Sequence, residues 1–230
     1  VTISGLTGSQ TADAGSLAVT STGGDPGTTG AWTQTTGTLV LTAASGGTTQ
    51  GTACEVTFEL TNTATTQTSP AVSVEAAISD GSATVVANIA QVAMDKPDTD
   101  LFGVSNGANP LEVLVPVLST RAIGQRTPGA STSNTLTVTL TANYALSDGS
   151  TVTISGLTGT QTTSDAVLAV TSSNGELGTT GAWNQSTGTL VLTAASGGMT
   201  EGQACIISFN VTNPLATQSS PAVSVEAAIE

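Results

Sequence analysis

The sequence predicts an all-β chain of two tandem antiparallel β-sandwiches, the first lacking its opening strands. Three observations carry this expectation. Residues 1–79 return without a gap as residues 152–230, with about 54 of the 79 paired positions identical. Strand-like alternation runs through both copies, most regularly in Thr135-Leu136-Thr137-Val138-Thr139-Leu140-Thr141, where threonine and aliphatic residues take opposite faces. Turn signals built on glycine, asparagine and aspartate recur every 8–12 residues or so, the spacing of sandwich strands. No convincing helical periodicity is present.

The elements follow in order. In the first copy, Trp32 sits in a short strand that turns through Thr35-Thr36-Gly37 into the apolar strand Thr38-Leu39-Val40-Leu41-Thr42. Gly46-Gly47 marks a corner, repeated as Gly197-Gly198. In Cys54-Glu55-Val56-Thr57-Phe58-Glu59-Leu60 the even positions are apolar and define an inward face. Val72, Val74, Ala76 and Ile78 line the closing strand. Asp80-Gly81 and Asp148-Gly149 read as hairpin turns, because glycine tolerates the positive φ of a type I′ turn. Residues 83–94 form an extra apolar strand, expected either to help cover the incomplete first sandwich or to be donated to another molecule. Residues 95–110, with Asp95-Lys96-Pro97-Asp98-Thr99-Asp100 and Ser105-Asn106-Gly107-Ala108-Asn109-Pro110, read as a linker loop.

The second sandwich, residues 111–230, assembles whole. Its expected strands are Leu111 to Ile123 (broken at Pro116, as edge strands often are), Thr135 to Leu146, Val152 to Leu157, Leu168 to Ser172, Ala182 to Gln185, Thr189 to Ala194, Ala204 to Thr212 and Pro221 to Ile229. Seven or eight strands over about 120 residues match an immunoglobulin-like sandwich in size. The first sandwich, residues 1–94, has no counterpart of Leu111 to Leu146. Left so, it exposes a sheet edge and a core face. Two expectations follow: a neighbouring subunit completes it by strand addition, or the protein continues N-terminally. Val1 lies inside a strand-like pattern, and no signal peptide is visible, so the chain reads as a mature product or a fragment.

Composition narrows the function. Only 8% of residues are charged, with three basic and sixteen acidic residues and a net charge of −13. No cationic patch exists to neutralise phosphates, so nucleic acid is disfavoured as a partner, as is an anionic membrane surface. No apolar run approaches the roughly 18 residues of a spanning helix. Threonine and serine make up about 30% of the chain and replace charge as the hydrating surface; β-branched threonine suits a pleated sheet. Such a surface resists trypsin-like proteases and offers hydroxyls for O-linked glycans, which points to an extracellular location.

The absence of histidine removes serine–histidine and cysteine–histidine nucleophile systems and histidine metal sites. The acids are dispersed, with no pair in a glycosidase-like context. No catalytic or cofactor-binding residue is expected. Asp95, Asp98 and Asp100 form the one acidic cluster; a solvated loop is the first reading and a calcium site the second, since hard cations take clustered oxygens. Trp32 and Trp183 occupy equivalent positions and are expected in the cores; exposed, they would offer a face for sugars. Cys54 and Cys205 also coincide, one per copy, and are expected as small buried hydrophobes; a bridge between units or chains is the other reading. Asn184-Gln185-Ser186 and Asn210-Val211-Thr212 are N-glycosylation sequons, replaced in the first copy by Thr33 and Glu59.

The duplicated blocks Thr2-Ile3-Ser4-Gly5-Leu6-Thr7-Gly8 and Leu41-Thr42-Ala43-Ala44-Ser45-Gly46-Gly47, the threonine alternation and the scarcity of basic residues give the chain a likeness. It resembles the tandem immunoglobulin-like repeats of large extracellular surface and filament proteins of bacteria and microalgae. The resemblance implies a stalk, adhesive fibre or surface coat and carries no catalytic residues. The expected function is a structural subunit of an extracellular filament or surface appendage, polymerising with copies of itself. The alternatives are an adhesin or carbohydrate-binding stalk module, and spacers attached to an enzyme.

Overall fold

The computed structural model of the chain describes residues 1–44, 46–80, 84–173 and 176–230. Ser45 of the repeated corner, Gly81 of the Asp80-Gly81 turn and Ala83 at the start of the extra strand lie outside the described residues. Among those described, the secondary structure is β throughout, with no α-helix. The chain divides into two compact units, Val1–Leu101 with Ser105–Val115, and Phe102–Val104 with Pro116–Glu230.

The first unit holds β1 (Thr2–Ser4), β2 (Ala14–Thr22), β3 (Thr29–Thr33), β4 (Thr38–Leu41), β5 (Glu55–Phe58), β6 (Ser73–Ser79) and β7 (Val85–Ala93). Their hydrogen-bonded order is β5-β2-β3-β4-β1-β6-β7. The turn from β3 to β4 closes on Gly37, whose φ of +61° is a left-handed conformation that favours glycine. Gly30 makes the packing behind Trp32 possible: a Cβ there would lie 2.6 Å from Leu39 Cδ1 and 2.9 Å from Leu41 Cδ2.

The second unit repeats this plan and adds to it. Its strands are β8 (Leu118–Gln125), β9 (Ser133–Ala142), β10 (Thr151–Ser155), β11 (Asp165–Ser172), β12 (Thr180–Asn184), β13 (Thr189–Thr193), β14 (Ala204–Thr212) and β15 (Ser224–Ala228). They are ordered β15-β10-β13-β12-β11-β14-β9-β8. β11 serves two layers. Asp165, Leu168 and Ala169 pair with β12, with a register shift between Asp165 and Leu168, and Val170 to Ser172 pair with β14. Side chains of the two layers meet in one core, Val152, Ile154, Trp183, Leu190 and Leu192 from one and Leu136, Val138, Leu140, Ile207 and Phe209 from the other. β2 does the same in the first unit, pairing with β3 at Ala14 to Ala18 and with β5 at Val19 to Thr22.

Several expectations are revised. The division of the chain does not follow 1–94, 95–110 and 111–230. Much of the 95–110 segment and the residues after it are tied to the first unit by polar contacts: Lys96 Nζ donates to the Ser69 carbonyl, Ser69 Oγ donates to the Pro110 carbonyl, and Val113 exchanges backbone hydrogen bonds with Gln67. Leu111 packs against the first core. The segment Leu111 to Ile123 divides at Pro116, where a break was expected, but its first part belongs to the first unit and β8 starts at Leu118. Asp148-Gly149 is no hairpin: β9 pairs with β8 and β14, β10 with β13 and β15, so this turn crosses between layers. The apolar strand of residues 83–94 appears as β7, paired with β6 at the edge opposite β5, so it does not cover the edge left open.

Candidate assembly surface

The internal repeat supplies its own control, because the same strand occurs in two surroundings. In the second unit β14 is paired along its whole length by β9, with Cys205 opposite Leu140, Ile207 opposite Val138 and Phe209 opposite Leu136. Those three β9 residues close the core from that side, and Cys205 and Ile207 are fully buried at 0% exposure. β8 then pairs with β9 on its outer side.

The counterpart of β14 in the first unit is β5, and among the described residues its one partner strand is β2. Val56, Phe58 and Leu60, the equivalents of Ile207, Phe209 and Val211, are only partly buried and pack on the edge of the core. The expectation that both cysteines are buried holds for Cys205 alone; Cys54 is half-buried. Burial, with help from the Glu176 carboxylate, pushes the Cys205 thiol up to about 12. The difference in packing is large. Among the described residues, nineteen buried ones form the second core and six the first. Each fully buried Leu or Val contributes roughly 1.5–3 kcal/mol, so losing the cover of three aliphatics counts for several kcal/mol. β5 also presents its outer backbone groups, which is a template for another strand.

The opposite edge of the same sheet is equally unguarded. β7 is exposed at all nine positions. Val85, Val86, Ile89 and Val92 are each more than half exposed. From Thr84 to Met94 there is no charge, proline or glycine, the residues that usually blunt an edge strand. Its register against β6 places Ala87 opposite Ile78, Ile89 opposite Ala76 and Val92 opposite Val74. Val74 in turn pairs with Ile3, which packs on the core. Ala87, Ile89 and Val92 thus belong to the core-facing side of the sheet.

The remaining candidate residues do not converge on one place. Trp32 and Trp183 are 2% and 3% exposed, and their indole Nε1 groups donate to the carbonyls of Thr11 and Thr162; neither offers a face for stacking. Asp98 is engaged with Asn109, whose Nδ2 donates to Asp98 Oδ1 at 2.8 Å, and Asp100 Oδ1 accepts the Asn106 amide. Asp95 is exposed. Among the described residues no group of three or more His, Cys, Asp or Glu is placed to hold a metal ion. Asn184 is exposed at the end of β12 and its Oδ1 accepts from the Ser186 amide and hydroxyl; Asn210 is exposed on β14 and accepts from Thr135 Oγ1 at 2.7 Å.

Sequence reasoning missed two polar anchors. Asn134, 1% exposed, accepts from the amides of Arg126 and Thr127 and donates to Gln125 and Asn213 side chains. Gln67 Nε2 donates to the carbonyls of Thr7 and Leu111, and its repeat Gln218 donates to Thr158. The repeated Gly8–Gln67 and Gly159–Gln218 pairs were the available signal: a Cβ on either glycine would occupy the place of the amide.

The arrangement defines a class, an all-β protein of duplicated sandwich-like units with unequal completion of the same strand. Comparison with protein families, curated proteins and solved structures finds no match.

Proposed function

We propose that the protein is a structural subunit of an extracellular filament or surface appendage of the tandem immunoglobulin-like repeat type, assembling head to tail with copies of itself by β-strand complementation. The observation that carries the reading is the contrast between β14, covered by β9 and β8, and β5, uncovered. An added strand would supply β5 with a backbone ladder and its half-buried row with a lid. Contact between two different edges is heterologous, so it propagates as an open fibre instead of closing into a dimer. Threonine-rich outer faces and the exposed asparagines Asn184 and Asn210 suit a hydrated, glycan-bearing surface. The buried tryptophans give no support to the carbohydrate-binding reading.

Sedimentation velocity across a concentration series, with negative-stain electron microscopy, tests the proposal. A concentration-dependent series of long, regular polymers is expected. A monodisperse monomer at high concentration, with the amides of β5 as slow to exchange as those of β14, would overturn it.

A further inference from the structure

We infer that residues 217–223 and the outer side of β15 form a docking edge on the second unit, and that its ligand is an extended polypeptide segment of another molecule with the chemistry of β7 and residues 110–113. This goes beyond the filament reading, whose acceptor is β5, and does not depend on it. The first unit displays both the edge and its occupant. β7 pairs with β6, setting Ala87 against Ile78, Ile89 against Ala76 and Val92 against Val74. Further along the chain, residues 110–113 run beside residues 67–69. Val113 and Gln67 exchange backbone hydrogen bonds. Gln67 Nε2 donates to the Leu111 carbonyl at 3.0 Å, and the Ser69 amide donates to the Glu112 carboxylate at 2.6 Å. Ser69 Oγ donates to the Pro110 carbonyl at 2.6 Å. Leu111 packs against the cluster that contains Leu6 and Val72.

The second unit repeats the receiving residues without the occupant. Thr66, Gln67, Ser69, Pro70 and Val72 return as Thr217, Gln218, Ser220, Pro221 and Val223, and Ser73 to Ile78 return unchanged as Ser224 to Ile229. Gln218 holds the pose of its counterpart, donating Nε2 to the Thr158 carbonyl as Gln67 does to that of Thr7. Among the described residues, no strand pairs with the outer side of β15. Matched positions differ in cover accordingly. Val72 is 6% exposed and Val223 half-buried; Gln67, Ser69 and Ala76 are half-buried, whereas Gln218, Ser220 and Ala227 are exposed. A cleft of about 520 Å³ opens beside residues 217–223, lined by Leu157, Val211 and Val223 and, from β8 and β9, by Ile123 and Leu136. Leu157, Val211 and Val223 repeat Leu6, Leu60 and Val72, so an aliphatic side chain placed as Leu111 meets apolar surface there. The edge therefore asks for main-chain pairing, which selects a polypeptide. Transferring the register sets Ala87 against Ile229, Ile89 against Ala227 and Val92 against Val225. The clip that follows supplies an aliphatic residue for the cleft and a carboxylate for the Ser220 amide, a charge-assisted hydrogen bond.

The probe is a peptide of residues 85–113 carrying Ile89→Cys, and the receptor is the full chain carrying Cys54→Ser and Ala227→Cys. Ala227 is exposed, so its substitution leaves the core intact. Opposed residues of antiparallel strands lie about 4.5–5.5 Å apart, within reach of a disulfide. Under mild oxidation a one-to-one covalent adduct is expected. With the receptor cysteine moved to Val167→Cys, an exposed position on β11, the yield should fall at least about tenfold, given that geometric limit. Glu112→Gln in the peptide should weaken binding about tenfold, because a hydrogen bond to a charged group is lost. In the unsubstituted chain, the unsubstituted peptide at saturation should slow hydrogen exchange at the Gln218 and Ser220 amides at least about tenfold. Equal adducts at Ala227→Cys and Val167→Cys, or unchanged exchange at Gln218 and Ser220, would overturn the inference. So would a disulfide dimer of the receptor that forms without peptide and excludes it, which would assign the edge to β15 of a second copy. The filament reading stands apart from all of these results, because polymer formed through β5 is read in the centrifuge on the chain alone.

Discussion

Asn134 shows how one buried amide secures the added strands of the second unit. Its side chain satisfies the amides of Arg126 and Thr127 where the chain turns from β8 into β9, and reaches across to Gln125 and to Asn213, just past the end of β14. Removing it takes a partner from the half-buried Thr127 amide and Asn213 Oδ1, while the Arg126 amide keeps the Thr135 carbonyl. Asn134→Ala should therefore destabilise the second unit by about 3 kcal/mol. Urea unfolding followed by Trp183 fluorescence in a Trp32→Phe background reads this directly; a loss under about 1 kcal/mol would show that water replaces the bonds. Nothing in the periodic pattern marks Asn134, because it occupies an inward position of β9 where alternation predicts an aliphatic residue. Trp32 and Trp183 behave oppositely: paired apolar neighbours such as Leu39 and Leu190 made their burial readable.

At the scale of the element, β5 and β14 have related sequences and different protection. Amides of β14 lie inside a ladder on both sides over a large core, whereas β5 has a ladder on one side over a small one. Local opening should dominate exchange in β5 of the dilute monomer. Hydrogen exchange is expected to be at least about 100-fold faster for Val56 and Phe58 than for Ile207 and Phe209. Equal rates would mean the first unit closes its own edge. The strands themselves were legible, since threonine–aliphatic alternation such as Thr135 to Thr141 admits one assignment of faces. The position of β7 was not, because a segment apolar on both faces fits either edge equally. The docking of the 95–113 segment was also hidden. It depends on single polar contacts from Lys96, Ser69 and Gln67, which have no period to detect. Asp148-Gly149 misled because the same turn chemistry serves a hairpin and a crossing between layers, and only the pairing of β10 decides.

For the whole molecule, the balance of sixteen acidic against three basic residues sets the conditions for association. Copies repel at low ionic strength, while strand pairing and apolar contact act at short range. Salt shortens the reach of the repulsion to about 10 Å at 0.1 M. The polymer fraction should therefore rise between about 10 mM and about 150 mM sodium chloride and again as pH falls toward the isoelectric point near 4.1. Light scattering that decreases with salt would point to ion pairing as the driving contact instead. The shared strands β2 and β11 bear on how such a molecule meets load. Each is stitched into both layers by its own backbone, so a pull cannot slide one layer off the other while the strand stays whole. A unit under tension must surrender its two layers in a single event, and a string of them would lengthen in discrete steps, the first units yielding before the better-packed second ones.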